Sequence, residues 1–455
     1  MQPTIEELSG RVRGQVITQG DDAYDEARKV YNGMIDKRPR VIVRASDQAD
    51  VIVAVRFARE AGADLSIRGG AHSVPGFGTN DGGVVLDLSG MNGTRVDPRN
   101  KTATAQGGCC WGDLDHATHA FGLATVGGVV SSTGIGGLTL GGGMGYLTRK
   151  HGLTVDNLIS ADVVTAEGEL VHASEDENSD LFWALRGGGG NFGVVTEFEF
   201  RLHPVKMIYG GPMFFEASRA RDVLTAFRDY IAEAPRELGA FWAWQIAPPL
   251  PFIPEERHGE TMCAVIACWS GEMAAGEAAF APFTNAAPVV AHAVGPMPYP
   301  ALNSAFDLPA GLQHYWKANF VEEISDDLIQ AHLEHGPRIP AVESAVHIHV
   351  INGAVHDVDA DSTAFGNRDA TFSTVIAGIW PDPQDNEANI AWVRDYYAAT
   401  APFSRDGGYI NFQSADDAEN AEKNYGSSYQ KLREIKKKYD PDNLFRMNQN
   451  IPPSS

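Results

Sequence analysis

The stretch Ser66-Ile67-Arg68-Gly69-Gly70-Ala71-His72-Ser73 decides how the first part of this chain folds. Residues 65–68 are typical of a β-strand, and the two glycines that follow predict a tight turn. Because glycine has no Cβ, backbone N–H groups in such a turn can converge on an anion such as a pyrophosphate. The turn then places His72 beside whatever molecule carries that phosphate.

A second segment, Thr133-Gly134-Ile135-Gly136-Gly137-Leu138-Thr139-Leu140-Gly141-Gly142-Gly143-Met144-Gly145-Tyr146, has too many glycines for ordinary core. This density predicts that the backbone approaches something closely there as well. The two segments together are interpreted as two walls of a site for a large, phosphate-bearing cofactor.

A third glycine run, Gly188-Gly189-Gly190-Asn191-Phe192-Gly193, matches the GxGxxG pattern. The dinucleotide fingerprint has a strand before the glycines and a helix after them, so that the pyrophosphate meets the helix N-terminus. Here a helix-like segment precedes the run and a strand follows it. We therefore predict no Rossmann-type NAD site.

Length, charge and cysteine content narrow the class of protein. A chain of 455 residues predicts two domains, and the net charge of −23 argues against a nucleic-acid partner. No run approaches the roughly 18 apolar residues of a membrane span, and the N-terminus does not resemble a signal peptide, so a cytoplasmic location is expected. The four cysteines, Cys109, Cys110, Cys263 and Cys268, are interpreted as small buried residues. Their spacing predicts neither a disulfide framework nor a metal site.

The distribution of short strands predicts an α+β fold. Residues 40–67 have the pattern strand, helix, strand, and further short strands are expected up to residue 202. From about 206 to 400, alternating segments at 261–269, 345–350 and 370–377 predict an antiparallel sheet with helices between its strands. An amphipathic helix is expected over 429–439, with the basic run 436–438 at its C-terminus.

Several of these segments resemble a known family in their order along the chain. The turn Arg68–Ser73, the block ending Gly141-Gly142-Gly143-Met144-Gly145, and Gly190-Asn191-Phe192-Gly193-Val194-Val195-Thr196 resemble the FAD domain of vanillyl-alcohol-oxidase-like flavoproteins. The tail, with Tyr409-Ile410-Asn411 and Tyr439-Asp440-Pro441-Asp442-Asn443-Leu444-Phe445-Arg446-Met447-Asn448-Gln449-Asn450-Ile451-Pro452-Pro453, is similar to the berberine-bridge-enzyme-like subgroup. Within that subgroup the chain resembles both hydroxynicotine oxidases and sugar oxidases.

The resemblance implies a two-domain α+β architecture. Residues 1–205 would form the FAD-binding domain, and residues 206–405 would form a substrate-binding domain with an antiparallel sheet covered by helices. Residues 406–455 would return to the FAD domain.

The resemblance also implies that FAD is bound covalently, through a bond between His72 and its 8α-methyl group. The alternative is that His72 only caps the turn or contacts a phosphate. The other residues expected at the cofactor are Arg68, Gly69, Gly70, Ala71, Ser73, Thr133, Gly134, Gly136, Gly137, Gly142, Gly143, Gly145, Val195 and Asn448.

Two positions in or just before the second glycine segment bear on how FAD is attached and reoxidised. Many relatives form a second covalent bond from a cysteine, but Val130, three residues before the segment begins, stands at that position here, so a single bond is expected. Thr133 stands where relatives carry a residue that controls access to the flavin. Its small volume indicates that oxygen can reach the flavin. The alternative, given equal weight, is that Thr133 only packs against its neighbours.

The tail resemblance implies that Tyr409 is a general base, with Asn411 beside it. An ordinary tyrosine pKa of about 10 is far above neutral, so this role needs a neighbouring group that stabilises the phenolate. A buried tyrosine with a satisfied hydroxyl is the alternative.

The substrate side is the least determined part of the sequence. Polar or aromatic residues expected near a pocket are Trp242, Trp244, Trp316, Lys317, His347 and His349. In a strand, His347 and His349 share one face, as do Trp242 and Trp244. No third ligand accompanies the two histidines, so no metal is expected.

The expected activity is oxidation of a small organic substrate, such as a sugar, alcohol, cyclic amine or secondary metabolite. A hydride would pass from a C–H bond next to O or N to flavin N5, and O₂ would accept the electrons and give H₂O₂. Alternatives are a dehydrogenase with another acceptor, an enzyme that cyclises or dehydrogenates secondary metabolites, and a flavin-containing binding protein without catalysis.

Overall fold

The segment around the first glycine turn forms a strand–helix–strand unit in the computed structural model, which describes residues 3–455. Strand β2 (Val41–Arg44), helix α3 (Gln48–Ala61) and strand β3 (Leu65–Arg68) follow one another, as predicted. The side chain of Asp47 caps α3 by accepting from the backbone N–H groups of Ala49 and Asp50, and Gly62 ends the helix with a φ of +61°. Strand β3 therefore delivers the turn to the edge of a small sheet.

The first part of the chain builds two sheets of different character. A four-stranded sheet has the order β1-β2-β4-β3, with β4 parallel to both β2 and β3. A five-stranded antiparallel sheet has the order β5-β6-β10-β8-β9, and β7 pairs with β11. The bounds are α1 Ile5–Ser9, β1 Gln15–Thr18, α2 Tyr24–Ala27, β2 Val41–Arg44, α3 Gln48–Ala61, β3 Leu65–Arg68, β4 Val84–Asp87, β5 Thr94–Asp97, β6 Thr102–Gln106, α4 Trp111–His119, β7 Leu123–Ala124, α5 Ile135–Leu140, α6 Thr148–His151, β8 Leu158–Val164, β9 Leu170–Ser174, α7 Ser179–Leu185, β10 Val194–Arg201 and β11 His203–Pro204.

The GxGxxG run lies between helix α7 and strand β10. A helix precedes the glycines and a strand follows them, as the sequence indicates. The run therefore has the opposite polarity to a dinucleotide-binding turn.

The middle of the chain builds an eight-stranded antiparallel sheet, as predicted. Its order is β15-β12-β14-β13-β18-β19-β17, and β16 also pairs with β12. The bounds are β12 Met207–Glu216, α8 Ala220–Glu233, β13 Leu238–Ile246, β14 Thr261–Trp269, α9 Gly276–Thr284, β15 Val289–His292, β16 Gly295–Pro298, α10 Tyr299–Asn303, β17 Gln313–Val321, α11 Asp326–His335, β18 Ala345–Val350, β19 Phe372–Trp380 and α12 Asn386–Thr400.

The two faces of this sheet pack against different partners. Helices α8, α9, α11 and α12 cover one face with a large hydrophobic core. Part of the other face packs against residues of the first domain such as Val126, Tyr146 and Leu147. The space between this second face and the first domain is where a site can form.

The C-terminal segment returns to the first domain through helices α13 (Ala421–Tyr425) and α14 (Tyr429–Tyr439). Lys436, the first residue of the basic run, is fully buried and pairs with Asp440 at 2.7 Å. The Lys436 ammonium also donates to the carbonyl oxygens of Asn191 (2.8 Å) and Phe445 (2.9 Å). The Lys436 ammonium, held by Asp440, therefore joins the tail to the GxGxxG run through its bond to the Asn191 carbonyl.

Within residues 3–455, no helix combines the length and apolarity needed to cross a bilayer. Among the side chains described, those of residues 3–417 and 420–455, there is no group of three or more His, Cys, Asp or Glu arranged to hold a metal ion. Cys109, Cys263 and Cys268 are buried, whereas Cys110 is only partly buried.

We predict that Lys436→Met destabilises the protein by about 3–5 kcal/mol, because it leaves the Asp440 carboxylate buried without its partner. Lys437→Met, at an exposed position of the same helix, is the matched control and should change little. The measurement is denaturant unfolding of both variants. Equal stabilities for the two would show that the buried pair does not anchor the tail.

Candidate active site

A cavity of about 1010 Å³ lies between the first domain and the open face of the eight-stranded sheet. Both glycine segments, the GxGxxG run and the C-terminal tail line one side of it. Strands β17, β18 and β19, with loops around 248–252 and 301–308, line the other. Its volume is at the upper end of the usual range for ligand pockets, about 300–1,000 Å³.

The first two glycine segments touch each other through their backbones. A Cβ on Gly70 would lie well inside van der Waals contact with the backbone of Gly134, and a Cβ on Gly134 would do the same to Gly70. Arg68, just before the turn, is buried and donates to Asp87 at 2.9 Å. Arg68 therefore lines the cavity, and its ion pair with Asp87 fixes the end of strand β4. The absence of side chains on Gly70 and Gly134 allows the two segments to meet.

The turn presents His72 to the cavity in an unusual backbone setting. Ala71 has a φ of +60°, which costs a residue with a Cβ about 1–2 kcal/mol. The His72 ring stacks on Tyr31, with 3.8 Å between centroids, and the Tyr31 N–H donates to the Ala71 carbonyl. Burial lowers the pKa of His72 to about 4, although Asp307 partly opposes the shift. The imidazole is therefore neutral at neutral pH and fixed in orientation.

The glycines of the second segment fall into two groups. Gly134, Gly136 and Gly137 line the cavity, and a Cβ on Gly137 would meet open space. Gly190 of the GxGxxG run is similar in both respects. These glycines form a cradle into which a ligand can settle close to the backbone.

Gly142, Gly143 and Gly145, which the resemblance also placed at the cofactor, lie behind the cavity wall. None of the three lines the cavity. Side chains on Gly142 and Gly143 would collide with Phe365 and Thr154, and one on Gly145 would collide with the carbonyl of Gly127. Their role is close packing behind the cavity wall.

Val130 and Thr133 both line the cavity, whereas Cys109 and Cys110 do not. Burial, with a smaller contribution from Asp113, raises the pKa of the Cys109 thiol to about 12 and that of Cys110 to about 11. Both thiols are therefore protonated and poor nucleophiles near neutral pH.

The tail places Asn448 and Gln449 against the GxGxxG run. The Asn448 amide donates to the carbonyls of Gly190 (3.0 Å) and Phe445 (3.1 Å), and its Oδ1 atom has no partner among the described residues. The side-chain amide of Gln449 is buried, lines the cavity and has no partner for either polar atom within residues 3–455. Val195 of β10 lines the same side.

Tyr409 is buried at the other end of this wall, with two donors aimed at its hydroxyl oxygen. The Gly143 N–H donates to it at 2.9 Å and the Asn411 amide at 2.8 Å. Asn411 also donates to the Leu138 carbonyl at 3.1 Å, which fixes the orientation of its amide. Burial raises the pKa of Tyr409 to about 12 against the opposing effect of both donors. At neutral pH the side chain is a phenol, and both donors stabilise its phenolate once it forms.

On the sheet side, the cavity wall carries His314, Trp316, His347 and His349. The prediction that His347 and His349 share a face is confirmed, and the two rings lie 5.5 Å apart. Burial lowers the pKa of His314 and of His347 to about 4, and that of His349 well below its usual value. All three imidazoles are therefore neutral.

Trp242 and Trp244 do not belong to the pocket. They pair with Ile348 and Val346, whereas His349 and His347 pair with Phe241 and Ala243. Because paired residues in an antiparallel sheet share a face, both tryptophans lie on the helix-covered face. The Trp244 indole donates to the His332 carbonyl in α11.

Lys317 also lies outside the cavity. It follows Trp316 in β17 and so points to the opposite face. Its ammonium contacts Asp417 at 2.6 Å and Asp416 at 3.1 Å, and the backbone N–H of Trp316 donates to the Ser414 hydroxyl at 2.9 Å. Lys317 therefore fastens the segment that follows Tyr409 to the edge of the sheet.

Four residues that line the cavity are not among those expected from the sequence: Tyr31, Asp307, His314 and Gln449. The strand pattern contains a signal for His314, since His314 and Trp316 are two residues apart in one strand and must share a face. Tyr31 and Asp307 lie in irregular segments that match no motif. Gln449 belongs to the tail, whose pattern alone gives it no role.

Two spans of the chain, one with the first two glycine segments and one with Tyr409 and Asn448, match known family models. A model described as an FAD binding domain matches residues 39–174, and one described as berberine and berberine like matches residues 408–452. The fold and the site thus define a two-domain flavoprotein oxidoreductase with an FAD domain of the vanillyl-alcohol-oxidase type.

An FAD-linked oxidoreductase of Dictyostelium discoideum is 33% identical over 99% of this chain and 97% of its own length. The crystal structure of 6-hydroxy-D-nicotine oxidase from Arthrobacter nicotinovorans is 29% identical, with a TM-score of 0.87 over 97% of this chain and 98% of that one. Glucooligosaccharide oxidase of Sarocladium strictum is 29% identical over 94% and 90% of the two chains. The chain belongs to the berberine-bridge-enzyme-like family of FAD-linked oxidoreductases, which confirms the resemblance noted in the sequence.

The residues present fit FAD. The Gly137 and Gly190 cradle leaves room for a ligand at the backbone, and Asn448 and Gln449 offer buried polar atoms without protein partners among residues 3–455. A large cofactor with both phosphate and polar ring atoms satisfies such groups. His72 and Tyr409 line the same cavity from different segments of the chain.

We predict opposite outcomes for two alanine substitutions in the second glycine segment. Gly137→Ala should leave the free energy of unfolding unchanged or slightly increased, because alanine is favoured over glycine in a helix. It should reduce the flavin content of the purified protein, because its methyl group enters the cradle. Gly145→Ala should destabilise the fold by about 1–3 kcal/mol, because its methyl group meets the Gly127 carbonyl. The measurements are the flavin-to-protein ratio and the unfolding midpoint. Full flavin content in Gly137→Ala would contradict the cradle assignment.

Proposed function

We propose that this protein is an FAD-dependent oxidase with one covalent bond between FAD and His72. It takes a hydride from a C–H bond next to O or N of a small organic substrate and passes the electrons to O₂. The observation that carries the proposal is that His72 and Tyr409 line one cavity. In this proposal residues 1–205 bind FAD, residues 206–405 bind the substrate, and residues 406–455 supply Tyr409 and close the cofactor site.

The overall reaction converts a substrate H–C–O–H or H–C–N–H group into C=O or C=N. Bound FAD supplies the two-electron acceptor for the hydride, and O₂ receives these two electrons with two protons to give H₂O₂. The protein has to orient the substrate, exclude water and accept the O–H or N–H proton. Tyr409 is the group placed to accept that proton, with Gly143 and Asn411 donating to the resulting phenolate.

His72 is suited to covalent attachment because its imidazole is neutral and held by Tyr31. The new bond joins an imidazole nitrogen to the 8α-carbon and replaces one N–H and one C–H bond. The two electrons and two protons released pass to O₂. Val130, rather than a cysteine, lines the cavity just before the second glycine segment, which supports a single attachment.

The choice of O₂ as acceptor rests on Thr133 and on the relatives. Thr133 lines the cavity with a small side chain. Two relatives bear the names (R)-6-hydroxynicotine oxidase and glucooligosaccharide oxidase. An oxidase releases one H₂O₂ per substrate oxidised, whereas a dehydrogenase reduces a quinone or dye and releases none.

We expect acid precipitation of the wild-type protein to give a yellow pellet, because covalent flavin stays with the denatured chain. His72→Ala should release the colour into the supernatant, and intact mass should fall by one flavin. His347→Ala, which changes another histidine of the same cavity, is the matched control and should keep the pellet yellow. Colour that remains bound in His72→Ala would point to a cysteine instead.

We expect kcat/KM to rise about tenfold per pH unit between pH 7 and 10, because burial raises the pKa of Tyr409 to about 12 and the basic phenolate increases over that range. Tyr409→Phe should remove this slope and lower the rate by roughly 10²–10⁴-fold. Tyr425→Phe, which alters another buried tyrosine lining the cavity, should keep the slope. A slope that persists in Tyr409→Phe would assign the base to another group.

A further inference from the structure

The substrate half of the cavity has an unusual charge distribution. Its only charged side chains among the described lining residues are the carboxylates of Asp307 and Glu343. The one cation that lines the whole described cavity, Arg68, is held by Asp87. The three histidines are neutral. An anionic substrate would therefore lose its hydration without gaining a positive partner, which is costly in a site of this kind.

His347 and His349 are the polar centre of this half. Neither ring makes a hydrogen bond to any residue within the described chain, and both face the cavity from strand β18. A neutral imidazole carries one donor and one acceptor. Two such rings 5.5 Å apart can both donate to and accept from one hydroxyl group, or share one ligand between them.

Aromatic and aliphatic side chains surround these two rings. Phe241 lies 4.7 Å from His347 and 4.8 Å from His349, and Phe412 lies 5.7 Å from His349. Trp316, Phe306 and Phe252 also line the cavity or its entrance. Ring edges and faces of this kind favour a flat, apolar partner.

The cavity entrance is apolar as well. Leu250 and Val342 both line the cavity and are 40% and 38% exposed, which makes them two of the exposed large hydrophobic residues of the described chain. Pro248 and Pro249 extend this surface. A strongly hydrated molecule gains little from such an entrance, whereas an apolar one is drawn to it.

We infer that the substrate is a largely apolar aromatic ring compound that carries a hydroxyl group and no negative charge, and that His347 and His349 bind that hydroxyl. The inference rests on the proposed function, since it concerns the substrate of the same site. Oligosaccharides are disfavoured because they carry a hydroxyl on nearly every carbon. Beyond the histidines, this half offers few uncharged polar groups, such as Gln245, to satisfy them.

The test is isothermal calorimetry on the flavin-loaded protein with four probes that need no turnover: phenol, toluene, benzoate and cellobiose. Phenol should bind at least about tenfold more tightly than each of the others. Toluene lacks only the hydroxyl, benzoate carries the charge, and cellobiose carries many hydroxyls. His347→Leu and His349→Leu should each weaken phenol binding about tenfold and leave toluene binding unchanged.

His335→Leu, which makes the same change on helix α11 away from the cavity, is the matched control and should preserve the preference for phenol. Benzoate or cellobiose binding as tightly as phenol would overturn the inference, as would an unchanged phenol-to-toluene ratio in His347→Leu. Selective phenol binding by a protein whose flavin is reduced by none of the hydroxylated aromatic compounds tested would instead overturn the proposed function, and only the binding preference of the cavity would remain.

Discussion

Gly70 and Gly134 meet through their backbones in a space where neither can carry a side chain, and the rest of the site depends on this contact. It joins the turn after β3 to the segment before α5, so that His72 and Thr133 line one wall. An isolated β-bridge between Cys110 and Gly134 ties the same point to the start of α4. A single approach of two backbones thus fixes where His72 and Thr133 lie relative to one another on the cavity wall.

The second constraint is electrostatic. The buried Lys436–Asp440 pair and the Arg68–Asp87 pair each hold a chain segment that would otherwise have to be fixed by packing alone. Lys317, with Asp416 and Asp417, does the same for the segment after Tyr409. These ion pairs lie within the wall, and the cavity is lined mainly by neutral imidazoles, a phenol and amides, with Arg68, Asp307 and Glu343 as the charged side chains among the described lining residues. The chemistry of the site is therefore that of neutral hydrogen-bonding groups in a largely apolar space.

Much of the fold and part of the site could be predicted from the sequence, and the failures have physical causes. Strand β3, helix α3 and the antiparallel strands were predicted because local periodicity and caps determine them. Lys317 and Trp316 were both expected in the pocket, although adjacent residues of a strand point to opposite faces. The same alternation would have predicted that His314 shares the face of Trp316. Trp242 and Trp244 share a face, but only the strand register with His347 and His349 shows that it is the helix-covered one. The glycines of the second glycine segment cannot be told apart in the sequence. In the structure some of them line the cavity, whereas others allow Thr154, Phe365 and Gly127 to approach the backbone.

The tail has a consequence for the order of events in the cell. His72 and both glycine segments are synthesised first, the strands β17, β18 and β19 of the opposite wall follow, and Asn448 and Gln449, which lie on the same wall as His72, come later still. The site can therefore be enclosed only after the segment that carries Asn448 and Gln449 has been synthesised, and a chain interrupted before this segment lacks the part that closes the site. Retention of the cofactor thus depends on a segment that lies far along the chain from the turn at His72.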